Sequence, residues 1–199
     1  QYSNVIRLSA PCAWTFCSQA DEGIYPMCGI VGYTGSDIAK NILVTGLKRM
    51  EYRGYDSSGV ALEVGEGAAA HLDVIRRVGK VAGLESELSN IDSDATCGIG
   101  HTRWATNGVP NDINAHPHTS RDGKVAIIHN GIIENASQLR LDLQTEGYRF
   151  SSETDTEVAA KLLGKISEKI VEETGKPDLF KAVRRLARML EGAFTILAT

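Results

Sequence analysis

The sequence is poor in the features that mark membrane proteins and nucleic-acid-binding proteins. Its 199 residues contain no apolar run near the roughly 20 residues that a helix needs to span a bilayer. The net charge of -4 offers no basic surface to a phosphate backbone. We therefore expect no membrane partner and no nucleic-acid partner. The hydrophobic content of 42% and charged content of 23% are typical of an ordinary soluble globular protein.

Cysteine is scarce, and its spacing argues against metal sites and disulfide scaffolds. The four cysteines are Cys12, Cys17, Cys28 and Cys97, and no C-x-x-C pair is present. We therefore expect no zinc site and no disulfide framework, and a reducing cytoplasm is the expected location. No glycine-rich phosphate loop of dinucleotide or P-loop spacing follows a strand, so no cofactor is predicted.

Residues 1–27 differ in character from the rest of the chain. They mix cysteine, tryptophan, serine and proline without a helical or strand period, and they lack the basic start and apolar core of a secretory signal. Three interpretations remain: a mis-assigned start or cloning remnant, a propeptide, or a genuine N-terminal segment. We favour the first, because the coherent pattern begins at Met27. The predicted domain covers residues 28–199.

Hydrophobic periodicity predicts strands in hairpin-like clusters and helices set apart from them. The predicted strands cover residues 28–34, 60–64, 71–78, 97–102, 125–129 and 193–198. The predicted helices cover residues 37–50, 81–88, 135–146 and 178–190, with one more beginning at the capping box of residues 154–157. Ser36, Asn135 and Thr154 are the predicted helix caps. This order favours antiparallel sheets covered by helices over a parallel βαβ series.

The junction after Met27 carries the first chemical signal. If Met27 is removed, Cys28 becomes residue one and holds both a thiol nucleophile and a free α-amine with a pKa near 8. An adjacent base of this kind activates a cysteine near neutral pH. The alternative is a buried strand cysteine with no chemistry.

Two further stretches combine polar side chains with strand ends. Arg103 follows a predicted strand, where it could clamp a carboxylate with two parallel hydrogen bonds or form a surface salt bridge. His116 and His118 lie in a loop, and their spacing alone could suggest a metal. No further ligands complete a set, so we favour a hydrogen-bonding role for His116.

The next signals are an amide donor and an acid. Asn130 and Gly131 follow a buried strand, and their side-chain and backbone N–H groups could converge on one oxygen as an oxyanion hole. The alternative is a plain Asn-Gly turn. Asp155 opens a helix, where it could complement the dipole or bind the ammonium of an amino-acid ligand. Together these groups suit amide hydrolysis of an amino acid.

Six motifs, taken together, resemble a known family. They are residues 28–32 (CGIVG), 51–57 (EYRGYDS), 101–106 (HTRWAT), 114–118 (NAHPH), 129–135 (HNGIIEN) and 152–157 (SETDTE). The chain from Cys28 onward resembles the glutaminase domains of the glutamine–fructose-6-phosphate aminotransferases, which are class II glutamine amidotransferases. The resemblance implies an α/β (α+β) fold: a four-layer α/β/β/α sandwich with two antiparallel sheets, of the N-terminal-nucleophile hydrolase type.

The resemblance also implies roles for individual residues. Cys28 would attack the side-chain amide of glutamine with its own α-amine as base, while Asn130 and Gly131 stabilise the oxyanion. The glutamine-binding residues implied in the same way are Arg103 for the α-carboxylate with Thr106 and His116, Asp155 for the α-ammonium, and Trp104 and Arg53 in motifs that shape and close the site.

The resemblance implies a division of labour in a longer enzyme. The domain would release ammonia from L-glutamine, and absent sugar-isomerase domains of a homodimeric full-length enzyme would convert fructose 6-phosphate to glucosamine 6-phosphate. Two alternatives stay open: a related amidotransferase of purine or asparagine synthesis, and a glutamine-binding module whose Cys28 is blocked by residues 1–27.

Overall fold

The computed structural model describes residues 28–105 and 108–199, and these form two antiparallel sheets with helices outside them. The elements in chain order are β1 (Gly29–Thr34), α1 (Ala39–Met50), β2 (Ser57–Val64), β3 (His71–Val78), α2 (Val81–Ser89), β4 (Cys97–Arg103), β5 (His118–Thr119), β6 (Ala126–Ile133), α3 (Ala136–Thr145), α4 (Asp155–Thr174), α5 (Leu179–Ala187) and β7 (Gly192–Ala198). No helix in the described ranges is both long enough and apolar enough to cross a membrane.

Each sheet brings together strands that are distant in the sequence. The first sheet has the order β1-β4-β2-β3 and the second the order β5-β6-β7. In the first, Ile30 of β1 pairs with His101 of β4; in the second, Asn130 of β6 pairs with Thr195 of β7. The second sheet therefore depends on a strand that lies more than sixty residues further along the chain.

Three apolar clusters fix the order of the layers. Leu43 and Leu47 of α1 pack with Leu84 of α2 against the first sheet. A small cluster of Ala61, Ile99, Ala126 and Ile128 fills the space between the sheets. The third cluster covers the outer face of the second sheet, and its members include Ile127, Val158, Leu162, Ile166, Ile170 and Leu186. The layers are thus helices, sheet, sheet and helices, as predicted, with about 1.5–3 kcal/mol from each large buried apolar side chain.

Helix α4 follows its sequence pattern closely. The sequence spacing predicts an apolar stripe of Val158, Leu162, Ile166 and Ile170, and all four side chains are buried. The hydroxyl of Thr154 accepts a hydrogen bond from the backbone N–H of Glu157 at 3.2 Å, which confirms the predicted cap. The Glu157 carboxylate accepts from the backbone N–H groups of Ser151 and Ser152. In a capping box it would accept from the N–H of Thr154 instead.

Neither of the other two predicted caps forms a side-chain capping hydrogen bond. Helix α1 begins at Ala39 after Ile38, and no side chain caps it, so Ser36 has no such role. Asn135 precedes α3, but its amide donates to the carbonyl of Met189 at 2.8 Å and its oxygen accepts from the N–H of Glu191 at 3.1 Å. Its side chain therefore ties the start of α3 to the segment before β7.

Two strands extend three or more residues beyond their predicted bounds. β2 begins at Ser57, three residues before the predicted start, and β6 continues to Ile133 instead of ending at His129. Asn130 and Gly131 therefore lie inside a paired strand and form no turn, because Thr195 and Phe194 of β7 supply the ladder partners that a turn would lack.

Candidate active site

Cys28 lies immediately before β1, beside the end of β4. Its sulphur accepts a hydrogen bond from the backbone N–H of Trp104 at 3.1 Å, and the Trp104 carbonyl lies 3.6 Å away. The β1–β4 pairing sets this distance, because the N–H of Gly29 donates to the hydroxyl of Thr102 at 3.0 Å. Burial raises the pKa of the Cys28 thiol, although the Trp104 hydrogen bond and the charge of Arg103 oppose the shift. The thiol therefore needs a base near neutral pH.

Asn130 reaches Cys28 from the second sheet. Its side-chain nitrogen donates to the carbonyl oxygen of Cys28 at 3.1 Å, and its side-chain oxygen lies 2.7 Å from Nε2 of His101. Alternation along β6 puts Asn130 on the same face as Ile128, which packs between the sheets. A primary amide carries two N–H donors, and the contact with Cys28 uses one of them.

Gly131 follows Asn130 in a conformation that requires glycine. Its φ is +113°, and a Cβ built there would lie 2.1 Å from the carbonyl oxygen of Ala193 in the adjacent strand. Any other residue would strain the backbone and displace β7. The predicted oxyanion pair therefore lies side by side in β6, with the side-chain amide of Asn130 in contact with Cys28.

Arg103 ends β4 and is 3% exposed. Burial lowers the pKa of its guanidinium, while the negative charges of Asp56, Cys28 and Asp155 oppose the shift. The alternative of a surface salt bridge does not fit, because Arg103 is buried. Arg103, the predicted carboxylate clamp, therefore interacts through its charge with Cys28, the predicted nucleophile, and with Asp155, the predicted ammonium partner.

Asp56 holds the chain on both sides of Trp104. Its backbone N–H donates to the carbonyl of Arg103 at 2.8 Å, and its carboxylate accepts from the N–H of Ala105 and from the hydroxyl of Ser57. The segment that presents the Trp104 N–H to the sulphur is thus fixed by an acid from the loop before β2. Sequence analysis did not single out this residue, although it lies in the 51–57 motif.

Asp155 is the first residue of α4 and is 9% exposed. One carboxylate oxygen accepts from the backbone N–H of Ile133 at 3.1 Å, and the other lies 3.8 Å from Nδ1 of His129. The bond to Ile133 joins the start of α4 to the end of β6, which brings this acid to the strand that carries Asn130.

Four buried histidines lie behind these groups. The His116 ring centroid is 4.5 Å from that of His101, 5.3 Å from that of His118 and 6.4 Å from that of His129. Burial lowers the pKa of His101 and of His118 to about 3 and moves the pKa of His116 well below its usual value, so these rings are neutral at pH 7. In the described ranges, no three His, Cys, Asp or Glu side chains are arranged to hold a metal ion.

The structure describes two of the three remaining predicted residues. Arg53 is half-buried and closes the short 3₁₀ turn Glu51–Arg53, from which Gly54 leads the chain toward Asp56. The Trp104 side chain is 43% exposed, while its backbone holds the Cys28 sulphur. Thr106 lies outside the described residues, and so do residues 1–27.

Comparisons with known proteins agree with this geometry. The sequence profile described as "Glutamine amidotransferase domain" matches residues 86–175. The chain is 48% identical over 171 residues to the glutamine–fructose-6-phosphate aminotransferase (isomerizing) of Thermus thermophilus, covering 86% of this chain and 26% of that protein. It is 51% identical over 173 residues to the enzyme of the same name from Leifsonia xyli, covering 86% and 27%. The chain thus spans about a quarter of the length of these relatives.

Two solved structures share the fold. The glutamine phosphoribosylpyrophosphate amidotransferase from B. subtilis, complexed with ADP and GMP, has a TM-score of 0.65 and 28% identity, over 85% of this chain and 34% of that one. A structure described as the allosteric regulatory enzyme of purine biosynthesis has a TM-score of 0.66 and 28% identity, over 85% and 35%. The predicted N-terminal-nucleophile sandwich is confirmed by this likeness. The chain carries a glutamine amidotransferase domain homologous to the glutaminase part of the glutamine–fructose-6-phosphate aminotransferases.

Proposed function

We propose that residues 28–199 form a glutaminase domain that hydrolyses L-glutamine to glutamate and ammonia through a thioester on Cys28. The observation that carries the proposal is the meeting of Cys28 with Asn130, whose amide nitrogen lies 3.1 Å from the Cys28 carbonyl. A nucleophile and an oxyanion donor so close together are the minimum that amide hydrolysis requires.

The first half of the reaction forms the thioester. The α-amine of Cys28 takes the thiol proton, and the sulphur attacks the side-chain carbonyl carbon of glutamine. The oxyanion that forms is stabilised by the amide of Asn130 and the N–H of Gly131. When the C–N bond breaks, the amine returns the proton to the leaving nitrogen, and ammonia departs. The N–H of Trp104 supports the sulphur while it carries negative charge.

The second half of the reaction restores the enzyme. Water gives a proton to the α-amine and adds to the thioester carbonyl, and the same two donors stabilise the second oxyanion. Collapse of this intermediate breaks the C–S bond, and the thiol of Cys28 recovers the proton. Glutamate then leaves the site.

Substrate recognition depends on the two ends of the amino-acid backbone. Arg103 binds the α-carboxylate as a fork, with Thr106 and His116 as further donors, and Asp155 binds the α-ammonium. The burial of Arg103 and Asp155, and the attraction between their opposite charges, support this assignment. Trp104 and Arg53 shape the entrance.

The base in this mechanism exists only when Cys28 is the first residue. An amide nitrogen has its lone pair delocalised into the carbonyl and is not a useful base near pH 7. We therefore propose that the protein is active when Cys28 is its first residue and inactive while residues 1–27 remain attached.

The ammonia has a use in the longer relatives. Their name assigns them an aminotransferase reaction on fructose 6-phosphate. We propose that this domain supplies ammonia for making glucosamine 6-phosphate in a cytoplasmic, homodimeric full-length enzyme. The 48–51% identity to these enzymes, against 28% to the phosphoribosylpyrophosphate amidotransferase, favours this acceptor over purine synthesis.

Two forms of the chain test the proposal, one beginning at Gln1 and one at Cys28. Intact mass verifies each N-terminus before and after assay of ammonia and glutamate. The Cys28 form should release both in equal amounts, and the Gln1 form should be inactive. Equal activity with unchanged mass would refute the free-amine mechanism. Inactivity of both forms, with glutamine still bound, would favour a binding module. Neither form should make glucosamine 6-phosphate from fructose 6-phosphate.

A further inference from the structure

His101 contacts the predicted oxyanion donor from the opposite sheet. Its Nε2 lies 2.7 Å from the side-chain oxygen of Asn130, and the Asn130 nitrogen lies 3.1 Å from the carbonyl of Cys28. Only one orientation of the amide suits both contacts. If the amide were reversed, its oxygen would face the Cys28 carbonyl oxygen, and two acceptors would repel each other.

The amide orientation determines the tautomer of His101. Because the Asn130 oxygen is an acceptor, Nε2 of His101 must carry the proton and donate it. The ring is neutral, since burial lowers its pKa to about 3. A neutral ring protonated at Nε2 therefore provides the same hydrogen bond throughout the neutral pH range.

The surroundings of His101 keep the ring in place. The residue is 1% exposed, and it lies in β4 between Ile30 of β1 and Gly59 of β2. The ring of His116 lies 4.5 Å from its ring. A donor mounted on a central strand and packed on both sides is more rigid than one on a loop.

We propose that His101 is a positioning residue that locks the side-chain amide of Asn130 with its NH2 group toward Cys28. The inference rests on the proposed glutaminase function and deepens it. An oxyanion donor is effective when it is oriented before charge develops, because no reorganisation is then needed during the reaction. His101 provides this orientation without touching the substrate.

Four variants in the form that begins at Cys28 test the proposal: H101L, H101Q, N130A and the double variant H101L/N130A. Leucine fills the space but has no donor, whereas the amide nitrogen of glutamine can replace Nε2. We expect H101L to lower kcat by about 10- to 100-fold with KM changed less than about twofold, a smaller loss than the roughly 10²–10³-fold for deleting a donor. H101Q should recover most of the loss.

The double variant separates positioning from general damage. With no amide left to orient, H101L should change kcat by less than about twofold in the N130A background. Full additivity of the two losses, or a rise in KM with kcat unchanged, would overturn the proposal.

A measurement that does not depend on activity distinguishes failure of the proposed glutaminase function from failure of the positioning role of His101. Nitrogen-15 spectra of the imidazoles should assign the proton of His101 to Nε2 from pH 8 to pH 5, and H101L should change the Asn130 side-chain amide resonances. If the wild type releases no ammonia, the proposed function fails and the spectra alone decide on His101. A proton on Nδ1, or unchanged Asn130 resonances in H101L, would refute positioning.

Discussion

The backbone N–H of Trp104 points at the sulphur of Cys28, with 3.1 Å between nitrogen and sulphur. A backbone donor of this kind stabilises a thiolate more than a thiol, so it opposes the effect of burial on the pKa of Cys28. The contact also explains why the end of β4 has to be held so firmly. A small displacement of residues 103–105 would move the donor away from the nucleophile.

The nucleophile can be separated from the other described cysteine by substitution. C28S should abolish most ammonia release in the form that begins at Cys28, because a hydroxyl is a far weaker nucleophile near neutral pH. C97S is the matched control and should retain activity, since Cys97 lies near Thr199 at the far end of β4. A glutamine-like diazoketone followed by peptide mapping should label Cys28 alone. Label on Cys97 would contradict the assignment.

The carboxylate clamp predicts a graded effect of charge and shape at Arg103. R103A should raise the KM for glutamine about 10- to 100-fold, as expected for about 1.5–3 kcal/mol from hydrogen bonds to a charged group. R103K keeps the charge but loses the planar fork, so its KM should lie between that of the wild type and that of R103A. Initial rates over a range of glutamine concentrations measure both. Urea unfolding of each variant checks that the buried site remains folded.

The ammonium partner has a nearly isosteric test. In D155N the side-chain oxygen can still accept from the N–H of Ile133, so the join between α4 and β6 persists while the charge is lost. The KM for glutamine should rise about 10-fold or more, in line with loss of one charged hydrogen bond. E153Q removes a charge two residues earlier, at an exposed position, and should leave KM unchanged. Equal effects of D155N and E153Q would count against the role.

From the contacts of Asp56 we expect that substituting it changes both the free energy of unfolding and the reactivity of the Cys28 thiol. D56N places an NH2 group against the donors of Ala105 or Ser57, so the free energy of unfolding should fall by about 1.5–3 kcal/mol. Alkylation of Cys28 should also become slower, because a displaced Trp104 N–H no longer stabilises the thiolate. S57A removes one of the two carboxylate contacts and should cost about 1 kcal/mol or less, with labelling nearly unchanged. Faster labelling in D56N than in wild type would disagree with this role.

The buried histidines predict a steep loss of stability in acid. Below about pH 6.5 the unfolded chain protonates these imidazoles, whereas His101 and His118 in the folded chain remain neutral down to about pH 3. The unfolded state therefore binds more protons in this window, and the free energy of unfolding falls as the pH falls.

A pair of histidine variants isolates this effect from the titration of carboxylates. In H118Q the unfolded chain binds one proton fewer. The free energy of unfolding should therefore fall less steeply with pH, by about 1.4 kcal/mol per pH unit between roughly pH 5.5 and pH 4. H71Q is the matched control, because it removes a histidine that is exposed. Urea unfolding at intervals of half a pH unit measures both slopes. Equal slopes for H118Q and wild type would refute the assignment.

Local signals predicted much of the fold. The strand His71–Val78 has the predicted bounds, and the stripe and cap of α4 follow from residues at most four apart. Asn130 contacts Cys28, and the charge of Arg103 interacts with Cys28 and Asp155, but it was the motif resemblance that had linked these residues.

The residues that sequence analysis misjudged or missed have partners that are distant in the sequence. Asn135 has the composition of a cap, yet the backbone of residues 189–191 competes for its side chain. The Asn130–Gly131 pair reads as a turn until β7 lies beside it. Asp56 and His101 act through contacts 49 and 29 residues away, and no pattern within a single element indicates such a contact.

Gly131 makes folding and chemistry inseparable at one position. With a φ of +113° and the carbonyl of Ala193 occupying the space of a Cβ, every substitution there disturbs the β6–β7 ladder as well as the proposed oxyanion donor. In a saturation library, loss of function at Gly131 would coincide with loss of abundance, whereas variants of Asp155 such as D155N could lose function at full abundance. A screen that reads only activity would rank the two positions alike. Measuring abundance as well would show that the first belongs to the architecture of the sheet and the second to the substrate.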